Sequence, residues 1–132
     1  MLMASFNQNN TLHYSAGEGK WKIEAAVTRC GTDIQVAIYG GEKPHIGAAA
    51  LAVPRKSLSD PDQASASASV ICVTGHKDDL FARDAALKLA TAFGVTTCVT
   101  VGIHVASATE SDLSKLSANF TALIESVKGI PK

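Results

Sequence analysis

A chain of 132 residues with 46% hydrophobic and 18% charged side chains is long enough for one domain with a core and too apolar for a disordered segment. Twelve Lys and Arg balance twelve Asp and Glu, so bulk electrostatics lend no support to a role on nucleic acid or on an anionic membrane. No apolar run approaches the length that spans a bilayer, and the opening MLMASFNQNN has neither the basic region nor the apolar stretch of a secretory signal.

Residues 1–19 are polar and rich in Asn and Gln, and read as an N-terminal arm to a single domain over residues 20–132. From Lys20 to Cys30 the sequence alternates, with Trp21, Ile23, Ala25 and Val27 on one face. A turn at Gly31 to Asp33 leads into a second alternating run, where Ile34, Val36 and Ile38 share a face, and the two runs predict an antiparallel hairpin. A third strand, His45 to Val53, has unusually small side chains, which let another backbone, a helix or a flat ligand approach closely. The prolines and small polar residues of 54–69 predict a loop, and Ser69 to Gly75 a buried fourth strand. From His76 to Phe93 the spacing of Ala82, Ala85, Ala86, Leu89 and Phe93 predicts a helix, capped by Gly94. Val95 to His104 predicts a fifth strand, with Val95, Val99, Val101 and Ile103 on one face. A final helix opens on a Thr109/Asp112 capping box, carries a stripe of Leu113, Leu116, Phe120, Leu123, Ile124 and Val127, and ends at Gly129 and Pro131. This order predicts an α+β fold with a largely antiparallel sheet packed with helices.

Cys30, Cys72 and Cys98 are odd in number and lack CxxC spacing. They read as reduced thiols packed as small hydrophobes, which points to a cytoplasmic protein.

Three of the four histidines lie within a few residues of a glycine at the edge of an apolar segment: GGEKPHIGAAA (40–50), TGHKDD (74–79) and VGIHV (101–105). His45, His76 and His104 stand at the ends of three expected strands, where they could converge on a metal. No nucleophile elbow of the GxSxG type is present, and Asp78 and Asp79 are accounted for by the dipole of the helix they open. Gly40 and Gly41 can present successive N–H groups to a phosphate, with Lys43 as counter-charge. Gly75 precedes a helix N-terminus with Lys77 beside it, although Asp78 and Asp79 would repel an anion there. The motif chemistry alone leaves a binding site and simple strand-ending turns both open.

In combination the motifs say more. GG followed by HIGA, then GHKDD opening a helix, then GIH after a valine-rich strand, resembles the prenylated-flavin chaperone family. These are the LpdD-like proteins, the D subunits found with gallate and hydroxybenzoate decarboxylases. The resemblance runs from about Trp21 to Val127, whereas the EKP insert, the serine–alanine segment and the residues before Lys20 match no family pattern. It implies a fold similar to eukaryotic proteasome-assembly chaperones, a homodimer, and a non-catalytic chaperone that binds reduced prenylated FMN as cargo. It also implies delivery of that cargo to an apo-decarboxylase of the UbiD type, with a flavin prenyltransferase as a further candidate partner. On the chemistry of the residues, the expected cofactor-binding set is Gly40, Gly41, Lys43, His45, Gly47, Gly75, His76, Lys77, Gly102 and His104, with no catalytic residue and no metal. The competing expectation is a small metal-dependent enzyme built on His45, His76 and His104.

Overall fold

The computed structural model describes residues 10–73 and 78–131. In chain order the elements are β1 (Thr11–Ala16), β2 (Ile23–Cys30), β3 (Asp33–Gly41), β4 (Ala48–Lys56), β5 (Ala64–Cys72), α1 (Asp78–Phe93), β6 (Thr97–His104) and α2 (Glu110–Lys128). The six strands form one sheet of order β1-β2-β3-β6-β4-β5. Every pair is antiparallel except β3 with β6. This is the mixed α+β architecture that the sequence implies.

Alternation decides which face is buried. Ile23, Ala25 and Val27 of β2, Ile34, Val36 and Ile38 of β3, and Val99 and Val101 of β6 all enter one hydrophobic cluster with the helices. The helix α1 lies over β4, β5 and β6, while α2 lies over β1 and β2. Ala48, Ala50 and Ala52 meet Ala82, Ala85, Ala86 and Ala90 in that cluster, so small side chains on both elements let helix and strand approach closely. The alanine strand therefore makes room for α1 rather than for a flat ring. Of its residues, Ala49 belongs to the other face, in a cross-strand row with Ala26, Ala37 and Thr100.

Several elements differ from expectation. Within the expected arm, Thr11–Ala16 is a strand, paired with β2 from Thr11↔Thr28 to Ala16↔Ile23, and Tyr14 packs against the core. Trp21 lies in a 3₁₀ turn (Gly19–Trp21) instead of leading a strand. Its indole N–H donates to Asp112 at 2.8 Å and its carbonyl accepts from Asn119 at 2.8 Å, which ties the turn to α2. The third strand runs on through Pro54 to Lys56; β6 accompanies it only as far as Ala52↔Thr97, so at Pro54 no ladder on that side requires an N–H. Residues 64–69, expected in a loop, belong to β5, where Ala66 is buried and Ser67 and Ser69 are exposed in strict alternation. Leu113 of the expected stripe is exposed, and Ile130, beyond the helix, is buried in the core cluster. The Thr109/Asp112 capping box forms as expected. Among the described residues no helix is long and apolar enough to cross a membrane.

Candidate functional site

The parallel pairing of β3 with β6 sets Gly40 beside Ile103 and Gly41 beside His104, so both strands end at the same place. In open α/β sheets the shared carboxyl ends of parallel strands are where ligands are commonly met, and β3 with β6 is the parallel pair of this sheet. The segment from 42 to 47 leaves β3 here and folds back across the end of β6 to enter β4. Its path is fixed by backbone bonds: Glu42 and Lys43 donate to the His104 carbonyl at 2.7 and 3.3 Å, and Gly47 donates to that of Val101 at 2.8 Å.

The glycines are required by this crossing. A Cβ on Gly102 would overlap the carbonyl group of His45, and one on Gly41 would overlap that of His104. Gly41 also has φ +76, a left-handed conformation that side chains disfavour. A Cβ on Gly40 would meet the backbone of Lys22 and Ile23, and one on Gly47 would meet the Asp78 carboxylate. The N–H of Gly41 donates to Lys22 at 3.1 Å, so the amides of Gly41, Glu42 and Lys43 are all engaged within the fold. They do not form an open phosphate nest. What remains outward at this strand end are side chains: Lys43 and His104 are both exposed.

His45 is held by a partner that sequence reasoning assigned elsewhere. Asp78 is buried at the start of α1, where its Oδ1 accepts the Ile103 N–H at 3.0 Å and its Oδ2 lies 3.2 Å from His45 Nε2. His45 Nδ1 lies 3.0 Å from the Lys43 carbonyl oxygen. Both contacts are to acceptors, so a neutral imidazole can donate to one of them and a protonated ring to both. The His104 ring stands edge-on to that of His45 at 6.5 Å between centroids. Asp78 thus joins helix α1, strand β6 and the crossing segment, beyond any role in the helix dipole. Its neighbour Asp79 carries the same charge one residue later, and nothing local in the sequence distinguishes the two.

Gly40, Gly41, Lys43, His45, Gly47, Gly102 and His104 are therefore brought together at one end of the sheet. Gly75, His76 and Lys77 lie outside the described residues, and with them the third member of the histidine trio. Among the described residues no group of three or more His, Cys, Asp or Glu is placed to hold a metal. A cleft of about 290 Å³ lies at the opposite end of the sheet, lined by Arg29, Gly31, Thr32, Ile34, Phe93 and Val95, and contains none of the expected site residues.

Comparison with known proteins supplies the relatives. The family described as prenylated flavin chaperone LpdD-like domain matches residues 17–130. No curated protein is similar enough to count as a relative. Among solved structures, a chain of the yeast complex titled "Crystal Structure of a Novel Chaperone Complex for Yeast 20S Proteasome Assembly" superposes with a TM-score of 0.53 at 17% identity. The alignment covers 89% of this chain and 90% of the yeast chain, and at that identity the likeness is one of fold.

Proposed function

This chain belongs to the family of LpdD-like prenylated flavin chaperones, and from that premise we propose that it is a non-catalytic cytoplasmic carrier of reduced prenylated FMN. In this proposal it acts as a homodimer and hands its cargo to an apo-decarboxylase of the UbiD type. The observation that carries the placement of the cargo is the convergence of Lys43, His45 and His104 at the paired carboxyl ends of β3 and β6. A phosphate requires donors, and with the turn amides engaged these come from the Lys43 ammonium and the His104 ring. His45, braced by Asp78, is positioned to meet a polar edge of the flavin. Exposed contacts of this kind contribute on the order of 1 kcal/mol each, which favours release to a second protein over permanent retention.

Anaerobic titration with reduced prenylated FMN tests the site. Lys43→Ala with His104→Ala is expected to weaken binding by roughly tenfold or more, since two contacts of about 1 kcal/mol are lost. The melting temperature should stay within a degree or two of the parent. Transfer is then read as decarboxylation by an added apo-decarboxylase. Unchanged affinity in the folded double variant would remove the cargo from this end of the sheet. Failure of the parent to bind would sink the carrier reading altogether.

A further inference from the structure

The sheet has two edges, and they are unlike. At one end β1 is six residues long. At the other β5 runs for nine, Ala64–Cys72, with the sequence ASASASVIC. It contains no charge and no proline, and its register with β4 runs one-to-one from Lys56↔Ala64 to Ala48↔Cys72 without a bulge. These are the devices by which proteins ordinarily prevent an edge from pairing. None is present, and among the described residues no strand pairs on the outer side of Ala64–Ile71.

A second observation points to the same flank. Among the described residues, seven of the nine exposed large hydrophobic residues fall between Ile46 and Leu80. Leu51 and Val53 lie on the uncovered face of β4, and Ile71 stands 80% exposed on β5 itself. Leu80, 70% exposed, is carried by α1, the helix that packs over β4 and β5. An open ladder bordered by apolar side chains on both faces is a surface built to be covered.

We infer that the β5 edge pairs with the β5 edge of a second copy of this chain, antiparallel about a two-fold axis near Ala68, to make one continuous sheet. The occupant follows from the chemistry of the strand. An edge with no charge has nothing with which to select a heterologous strand, whereas its Ala/Ser alternation matches itself. Pairing about Ala68 sets Ser67 against Ser69 of the partner subunit and keeps serines on one face and alanines on the other. Arg55, which donates to Ser67 at 2.8 Å, is paired in the β4 register with Ser65. The two copies of Arg55 then stand roughly 20 Å apart along the new ladder, at about 3.4 Å per residue, beyond the Debye length of about 8 Å at physiological salt. The inference rests on the homodimer proposed above and names the surface that makes it.

Two arms test it with the full chain. In the native background, Ser69→Lys with Ile71→Lys places charge on exposed positions of the edge without touching the core. It is expected to shift a dimer at tens of micromolar (roughly the range in which a specific dimer persists) to monomer by sedimentation, with helicity unchanged. In a chain with its native cysteines replaced and shown still dimeric, chains carrying Ser67→Cys are mixed with chains carrying Ser69→Cys. Directly opposed residues of an antiparallel ladder lie about 4.5–5.5 Å apart between Cα atoms, within disulfide range, so a mixed disulfide should form rapidly. Copies stacked face to face hold their sheets about 10 Å apart, too far for that bond. A dimer that survives the lysines, or that fails to cross-link through β5, overturns the edge while leaving the homodimer standing. A monomeric parent overturns both.

Discussion

Where backbone passes over backbone, a single methyl group decides between folding and clash. At Gly102 the added Cβ overlaps the carbonyl of His45, and neither chain segment is a flexible end that can swing aside. Gly102→Ala is therefore expected to cost about 3 kcal/mol, the upper part of the range for overpacked sites. Gly31 provides the contrast. It too has a left-handed backbone, φ +63, but a Cβ there meets nothing within 4 Å. Gly31→Ala should cost only the strain of that conformation, about 1 kcal/mol. Urea denaturation of both variants measures the difference, and equal losses would mean that the crossing of 42–47 over β6 is looser than described. The same geometry governs how the proposed cargo site can be probed. Substituting Gly41 or Gly102 disturbs the crossing itself, so lost binding there would say nothing about the cargo. Lys43 and His104 extend to solvent and can be removed cleanly.

At the scale of elements, α2 shows how far local chemistry reaches. Thr109 and Asp112 exchange the reciprocal hydrogen bonds of a capping box, which their spacing announces. The same Asp112 also accepts from the Trp21 indole and faces the Lys20 ammonium at 3.4 Å. The Thr109 backbone N–H, first, and then the indole hold its carboxyl well below the usual carboxylate range. A group whose folded value is depressed binds its proton more readily when unfolded, so its stabilisation is complete above about pH 4 and declines as pH falls from there. Asp112→Asn should therefore be less stable than the parent at pH 7, with the gap narrowing on acidification below pH 4, as followed by thermal melts. A gap independent of pH would assign the loss to packing instead of charge. The capping box, the hairpin of β2 and β3 and the core stripe of α2 were legible because each depends on neighbours a few residues apart. The first half of β5 was not, because alternating Ala and Ser has little intrinsic preference for strand, and its assignment comes from the pairing of the whole strand with β4; only the part from Ser69 onward is expected as strand. For the site, the glycines and histidines stood out by their repeated juxtaposition, whereas Asp78 did not. Its importance lies in meeting His45 and Ile103, both distant in sequence.

Across the whole molecule the duties proposed for the sheet are separable from the strand at its other edge, β1. The family match begins at residue 17, so β1 lies outside it, although the strand completes the sheet beside β2. Tyr14 and Ala16 pack against the core, and α2 rests on β1 as well as on β2. Removing residues 1–16 strips those contacts and opens the β2 ladder to water, and is expected to lower the melting temperature on the order of 10 °C, the equivalent of a few kcal/mol for a domain of this size. The carboxyl ends of β3 and β6 keep their own supports. Gly41 bonds to Lys22, outside the deleted stretch, and Asp78 reaches His45 and Ile103 from α1. The proposed dimer edge is at β5, across the full width of the sheet. The truncated chain should therefore melt lower, yet sediment as the parent does and bind reduced prenylated FMN within about threefold, a change of well under 1 kcal/mol. Calorimetry, sedimentation and anaerobic titration on one preparation separate these duties. If affinity falls tenfold while the dimer persists, β1 contributes to the cargo site through the start of β2. If instead the dimer is lost while the fold remains, the subunit contact is at the β1 edge and the assignment to β5 fails.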